Sequence, residues 1–331
     1  MGNQFFHLLS SLTIKKIINF FIIKISYYLS LLIKSPIIWG FPFSISIEPS
    51  SLCNLNCLEC PSNKKSTERE NGNMQIDKFK TIINQTYKHC IYLILYFQGE
   101  PFINSAFFEM IKYARKKNIY TYSSTNGHFL NISNSEKIVT SGLNKLTISL
   151  DGTNQETYQK YRINGEFQKV VKGIKTLIEA KKRLKSNHPY IELQFLVFKF
   201  NQHQIHKIKA LGEKLGVNKV TLKSAQIYNF SEKTNLIPDI NKYSRYKRNS
   251  DNTFSLKKKP KNRCKRLGET TVITWQGNIL PCCFDKSENH IMGHISSKSF
   301  KKIWKDKSYN NFRKQVLNNR TKIDICNNCT E

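Results

Sequence analysis

Cys53-Asn54-Leu55-Asn56-Cys57-Leu58-Glu59-Cys60 sets three thiols in one short loop, spaced by three residues and then by two. Just upstream, Ser44-Ile45-Ser46-Ile47-Glu48 reads as a short apolar strand. Thiolates at this spacing can hold three corners of an iron–sulfur cube. Full protein ligation of a four-iron cluster takes four cysteines, and no fourth follows nearby in the sequence. One iron is thereby left open, and an open iron is a place for a ligand to react.

Zinc is the competing occupant. Structural zinc is closed by four nitrogen or sulfur ligands, often as paired C-x2-4-C knuckles. The first spacing fits such a knuckle, but no C-x2-C or H-x3-H follows soon after it. Disulfides fit less well. Nine cysteines in 331 residues is a modest load, and grouped cysteines outside a small secreted chain point to metal or redox chemistry in a reducing compartment. The expected location is therefore cytoplasmic.

Three cysteines at this spacing, directly after a strand, resemble the signature of the radical S-adenosylmethionine enzymes. The resemblance implies a [4Fe-4S] cluster held by Cys53, Cys57 and Cys60. It implies that the amino and carboxylate groups of S-adenosyl-L-methionine chelate the open iron. One electron, from a donor of flavodoxin or ferredoxin type, then releases a 5'-deoxyadenosyl radical that takes a hydrogen atom from substrate. In such enzymes the cofactor carries the hard chemistry and the protein positions it.

The chain alternates β and α patterns from residue 43 to about 225. Candidate strands are Phe43–Glu48, Tyr92–Phe97, Tyr120–Ser124, Lys145–Leu150, Ile191–Phe198 and Lys219–Lys223. Amphipathic helical stretches separate them at Asp77–His89, Ala106–Lys117, Ser135–Ser141, Phe167–Leu184 and His203–Leu215. Alternation of this kind means parallel strands with helices outside. The fold class is α/β, and the resemblance implies a partial (β/α)6 TIM-like barrel.

Binding residues in such barrels sit at the C-terminal strand ends. Gln98-Gly99-Glu100-Pro101 follows the second strand and is similar to the family's Gly-Gly-Glu-Pro element, with Gln98 in the first Gly position. The resemblance implies that Gly99 and Glu100 meet the amino group of S-adenosylmethionine; a plain strand-ending turn is the alternative. Ser124 and Asn126 after the third strand, and Ser149 and Asp151 after the fourth, resemble family segments that reach the ribose or the methionine carboxylate. Asn-Gly and Asp-Gly are also common turns. Arg162 could grip that carboxylate bidentately, or lie on the surface. Gln194 and Leu196 on the fifth strand are candidates to border the adenine.

A second group of cysteines lies at Cys264, Cys282, Cys283, Cys326 and Cys329. Val272–Cys282 reads as a β-hairpin turning at Gly277-Asn278. It would bring Cys282 back towards Cys264, and the Cys326-x2-Cys329 knuckle follows a helical stretch. Four converging thiolates can close around one cluster. Cys264, then Gly277, four further residues and Cys282 resemble the opening of the auxiliary-cluster domains of the SPASM and twitch type. The sequence ends two residues past Cys329, which fits the single-cluster, twitch-like form. The resemblance implies one auxiliary [4Fe-4S] cluster on Cys264, Cys282, Cys326 and Cys329, with Cys283 as the alternative to Cys282; tetrahedral zinc also suits four thiolates. Cys90, between a helix and a strand, reads as a buried apolar residue. Asp285, just past the cysteine pair, is a candidate proton acceptor in an oxidation.

These features divide the chain into an amphipathic helical extension (1–40), a radical core (41–230) and a small auxiliary-cluster domain with a β-hairpin (231–331). Residues 5–34 are rich in Phe, Ile and Leu, with a polar stripe at Ser11, Lys15, Asn19, Ser26, Ser30 and Lys34. Lys24 interrupts the longest apolar run. A basic leader and a small-residue cleavage site are both lacking, which argues against a signal peptide. The segment reads as a peripheral membrane helix or as an extension packed on the enzyme body.

Lys and Arg total 53 against 23 Asp and Glu, a net charge of +30. That balance suits nucleic acid, an anionic membrane or an acidic substrate. It also matches a chain in which lysines are spread throughout, so nucleic acid is not favoured as partner. The leading expectation is an oxidoreductase or peptide-maturing enzyme acting on a peptide or small molecule. RNA modification, or a non-catalytic iron–sulfur or zinc protein, are the alternatives.

Overall fold

The computed structural model describes residues 7–63, 69–228, 230 and 234–330. Helix α1 (Ile14–Ile33) leads into β1 (Ser44–Ile47). There follow α2 (Ile76–Thr86), β2 (Tyr92–Ile94), α3 (Phe107–Lys116), β3 (Tyr120–Thr125), α4 (Ile132–Thr140) and β4 (Lys145–Ser149). A short α5 (Gln155–Gln159) and long α6 (Phe167–Arg183) precede β5 (Tyr190–Val197), α7 (Ile205–Leu215) and β6 (Lys219–Ser224). All six expected strands and all five expected barrel helices are present, with ends within a few residues. Helix α7 stops at Gly216, which adopts φ 75° in the left-handed region, the conformation glycine takes at a helix C-terminus without a Cβ penalty.

Strands β1 to β6 are parallel neighbours in chain order. Their faces differ sharply. Ile45, Leu93, Leu146, Ile148, Ile191 and Leu193 share one face and are buried against the helices, with Phe79, Met110, Val170, Ile174 and Ile208. The register places Ser44, Ser46, Tyr122, Ser124, Thr147, Ser149 and Gln194 on the opposite face. The barrel lumen is thus polar and rich in hydroxyls. Tyr122 and Thr147 hydroxyls meet at 3.1 Å, and Lys145 pairs with Glu192 at 2.7 Å.

After β6 come a small hairpin, β7 (Tyr246–Arg248) and β8 (Phe254–Leu256), and a single helical turn α8 (Arg266–Glu269). The expected hairpin then forms from β9 (Thr270–Ile273) and β10 (Asn278–Leu280), paired antiparallel, with Gly277 at φ 106° in the turn. The strand β11 (Gly293–His294) joins β10, and α9 (Phe300–Trp304) and α10 (Lys307–Asn319) lead to the last cysteines. The sheet order is β11-β10-β9-β1-β2-β3-β4-β5-β6. Strand β9 pairs parallel with β1, Ser44 opposite Thr270 and Ile47 opposite Ile273. The C-terminal hairpin therefore continues the barrel sheet at its open edge, and Cys282-Cys283 follow β10, two strands from the β1 that leads into the first cysteine group.

The N-terminal helix has the reverse of the usual orientation. Ser11, Lys16, Asn19, Ser26 and Ser30 face the body and are buried. Asn19 donates to Phe41 O at 2.8 Å and accepts from Phe41 N at 2.9 Å. Lys16 Nζ donates to Asn118 O at 2.6 Å. Of the expected polar stripe, Lys15 and Lys34 stay exposed. Lys24 pairs with Glu269.

Candidate active site

The loop after β1 is shaped by backbone bonds to the barrel's C-terminal rim. Asn56 N donates to Ile163 O and Leu58 N to Tyr161 O, at 3.1 and 3.2 Å. Cys53, Cys57 and Cys60 pack in an apolar shell with Leu55, Tyr161, Leu196 and Phe198. Burial pushes the Cys53 thiol up to about 11 and raises that of Cys57. Thiols in such a place stay protonated unless a cation joins them, and metal binding supplies it. Among the described residues no three His, Cys, Asp or Glu side chains gather to hold a single metal ion. Three thiols on one short loop, set in an apolar shell, suit the ligands of an iron–sulfur cluster.

Glu100 is buried at 1% exposure beside this loop. Its carboxylate accepts from the Thr125 hydroxyl at 2.9 Å, from Asn126 N at 2.8 Å and from Phe102 N at 3.3 Å. No cation forms an ion pair with it among the described residues, and burial raises its pKa to about 7. A dry carboxylate held only by neutral donors is a natural seat for an ammonium group. Gly99 sits at φ 67°, and a Cβ there would lie 2.4 Å from Ser50 O and 2.7 Å from Leu52 O. Only glycine lets the strand end pass this close to the cysteine loop. Glu100 N donates to Leu52 O at 2.7 Å, which ties the two segments together.

Asn126 reaches the same loop, with Nδ2 at 2.8 Å from Asn54 Oδ1 and 3.9 Å from Cys53 Sγ. Ser124, Ser149 and Gln194 share the luminal face, Ser149 and Gln194 as register partners. Asp151 is fully buried; one oxygen accepts from Leu196 N at 2.6 Å and the other from Arg162 Nε at 2.6 Å. Arg162 also directs Nη1 to Cys57 Sγ at 3.7 Å. Its guanidinium thus faces a cysteine and an aspartate, a different setting from the methionine carboxylate expected from sequence. N–H donors to cluster sulfurs are one lever on the reduction potential.

Cys264, Cys282, Cys326 and Cys329 line one cavity under α10. Cys283 is absent from that lining and packs on Phe97, Val272 and Leu280. Burial raises the thiols of Cys264 and Cys326. Arg320, 1% exposed, lines the same cavity and donates from Nη2 to Cys329 Sγ at 3.1 Å. Sequence reasoning missed it, because a single arginine before Cys326 carries no local signal. Cys90 is buried in the main core, as expected. Asp285 is buried beside the hairpin, and its two oxygens accept from Asn289 N and His290 N, each at 2.9 Å. Both oxygens therefore cap a turn. A further residue missed from sequence is Lys286. Its ammonium donates to Phe97 O at 3.0 Å, and its carbonyl accepts from Gln98 Nε2 at 2.7 Å. It ties the loop after Cys282-Cys283 to the strand end that carries Gly99-Glu100.

A radical SAM superfamily model matches residues 47–192, and a SPASM iron-sulfur cluster-binding domain model matches residues 264–330. The chain carries a radical S-adenosylmethionine domain followed by a SPASM domain. The two domains imply a [4Fe-4S] cluster, S-adenosylmethionine and auxiliary iron–sulfur ligation. An AdoMet-dependent heme synthase from Methanosarcina barkeri is 28% identical over 176 residues, covering 53% of this chain and 48% of the relative. The mycofactocin maturase MftC of Mycolicibacterium smegmatis is 26% identical over 175 residues, covering 53% and 43%. These matches span about half the length of either relative. The crystal structure of Streptococcus suis SuiB bound to S-adenosylmethionine superposes with TM-score 0.65 at 17% identity, over 88% of this chain and 72% of that one. It shares the fold.

The lining of the second cavity leads to a direct test. Cys282→Ser is expected to lose the iron of the second site, while Cys283→Ser keeps it. Iron and sulfide assays on anaerobically reconstituted protein decide between them; equal iron in both variants would reject Cys282 as the ligand.

Proposed function

We propose that this radical S-adenosylmethionine enzyme carries out a net oxidation, or a peptide maturation that includes one, on a peptide or small-molecule substrate at the barrel mouth. The observation that carries this reading is the gathering of Cys264, Cys282, Cys326 and Cys329 around one cavity in the same body as the first three thiols. Hydrogen abstraction by itself does not complete a two-electron oxidation, and a second cluster site in the same body suits one. When bound, the first cluster and S-adenosylmethionine together supply the 5'-deoxyadenosyl radical.

The chain's own residues bind and orient. Cys53, Cys57 and Cys60 are the ligands of the first cluster, and Cys264, Cys282, Cys326 and Cys329 those of the second. Glu100 receives the amino group of S-adenosylmethionine, and Gly99 keeps the backbone close enough for it to do so. Ser124, Ser149 and Gln194 offer hydroxyl and amide partners along the lumen. Asn126 and Asp151 hold the cysteine loop and Arg162 in place. The apolar shell of Leu55, Tyr161 and Phe198 keeps water from the site. The relatives' names span a heme synthase and a mycofactocin maturase.

The test is turnover. Reconstituted protein with dithionite and S-adenosylmethionine should release 5'-deoxyadenosine. With cell extract added, mass spectrometry should find a peptide or metabolite lighter by two hydrogens. Product formed only in the presence of tRNA would replace this reading with RNA modification.

A pH dependence follows from Glu100. It must be ionised to hold an ammonium group, and its pKa of about 7 in the free protein leaves it largely protonated below that pH. Affinity for S-adenosylmethionine should fall about tenfold for each unit below pH 7. Proton release on binding, read by calorimetry in two buffers, should be largest near pH 6. In Glu100→Gln both effects should vanish; a pH-independent affinity in the wild type would remove Glu100 from the amino-group site.

A further inference from the structure

We infer that the outer face of α1 is a docking surface for an anionic lipid bilayer, on which the enzyme lies with this helix in the interfacial plane. Ile14, Ile17, Ile18, Phe21, Ile25, Tyr28 and Leu32 recur at three- and four-residue steps, and all are exposed, from 41% at Ile17 to 79% at Leu32. Residues at these steps fall on one side of a helix. Trp39, just beyond the helix, is 54% exposed. A soluble protein turns such a stripe inward. Here the polar stripe is turned inward instead, and the apolar one is left uncovered. Contiguous exposed apolar surface of this kind marks an interaction site.

By length and composition α1 could cross a membrane, but its inner face is bound to the body. Asn19 grips both backbone groups of Phe41, and Lys16 is sunk into contact with Asn118 O. Ser30 bonds with both backbone groups of Ile37, and Lys24 pairs with Glu269. A spanning helix would have to break all of these. A helix lying flat keeps them and buries its free face in the headgroup boundary, where Trp and Tyr are favoured.

Charge selects the occupant. Lys15 and Lys34 are exposed at the two ends of the helix. Arg263 and Lys265 share a hollow with Tyr28 and Leu31. Lys88 and Lys301 lie within electrostatic reach of His89, as does Lys15, and Lys305 sits over the Phe41 ring at 5.4 Å. The nearby acid Glu269 is already paired with Lys24. A basic rim around an apolar strip is complementary to anionic headgroups. A second copy of this chain would bring the same basic rim against it, with +30 on each partner.

The test is flotation of the iron-loaded, full-length protein with vesicles of phosphatidylcholine and phosphatidylglycerol (7:3), and with phosphatidylcholine alone. Most of the protein should float with the anionic vesicles at low salt, and at least tenfold less with the neutral ones. Phe21→Glu/Ile25→Glu should lower the floated fraction at least tenfold while iron content and S-adenosylmethionine cleavage stay unchanged. Lipids brominated in the acyl chains should quench the fluorescence of bound wild type, and Trp39→Phe should lose that quenching. The inference fails if the wild type does not float, if the double variant floats equally, or if bound protein shows no quenching assignable to Trp39. It also fails if sedimentation shows a dimer that the double variant dissolves in place of vesicle binding. None of these outcomes bears on radical chemistry, which the cleavage assay reads separately.

Discussion

Cys57→Ala is expected to abolish release of 5'-deoxyadenosine and to lower the iron of reconstituted protein from about eight to about four per chain, the content of one four-iron cluster in place of two. The argument starts from the donor set. Cys57 is 7% exposed, in an apolar shell, and burial raises its thiol. Without it the loop offers two thiols, fewer than the three that leave a single iron open. Nothing nearby is suited to replace it, since Arg162 is the polar group that faces its sulfur. The fold should survive. Arg162 keeps its bond to Asp151, and the loop keeps its backbone bonds to Tyr161 and Ile163. The measurement is chromatographic assay of 5'-deoxyadenosine together with iron content and circular dichroism. Undiminished product from a folded, iron-depleted variant would defeat the ligand assignment.

Cys329→Ala should have the complementary effect. About four irons per chain should go, and cleavage of S-adenosylmethionine by the first site should continue. Cys329 lines the cavity with Cys264, Cys282 and Cys326, and Arg320 donates to its sulfur at 3.1 Å. Its loss removes one ligand and leaves a buried guanidinium without that partner, so a small loss of thermal stability should accompany it. If the proposed oxidation is correct, substrate turnover should fall while 5'-deoxyadenosine is still made. Paramagnetic resonance of the reduced protein should then show the signal of one cluster only. Unchanged iron would show that Cys329 is not a ligand, and loss of both clusters would show that the second site is needed to build the first.

Much of the first site was legible because its elements are local. A C-x3-C-x2-C loop lies within eight residues, and Gly99-Glu100 follows directly on a strand. The candidate strand ranges and the resemblance singled out Ser124, Ser149 and Gln194, and the register puts them on one face. What pairs with what across the fold was not legible. Arg162 read as a carboxylate clamp or a surface residue; the structure buries it between Asp151 and Cys57, which are 11 and 105 residues away in the chain. Asp285 looked like a free base but caps the Asn289 and His290 amides. Arg320 and Lys286 carry no motif at all. Their importance comes from long-range contacts, to which spacing is blind.

The sequence by itself determined that this chain builds a six-stranded β/α body with a trio of cysteines after the first strand, because period, turn residues and thiol spacing are short-range properties. It also determined that a polar and an apolar stripe run along the first helix. Only the tertiary structure decided which stripe faces inward, because periodicity is the same for a helix turned either way. Only it joined the C-terminal hairpin to the open edge of β1. Strand pairing across more than two hundred residues depends on which sheet edge is left free, and that is known only once the barrel has formed.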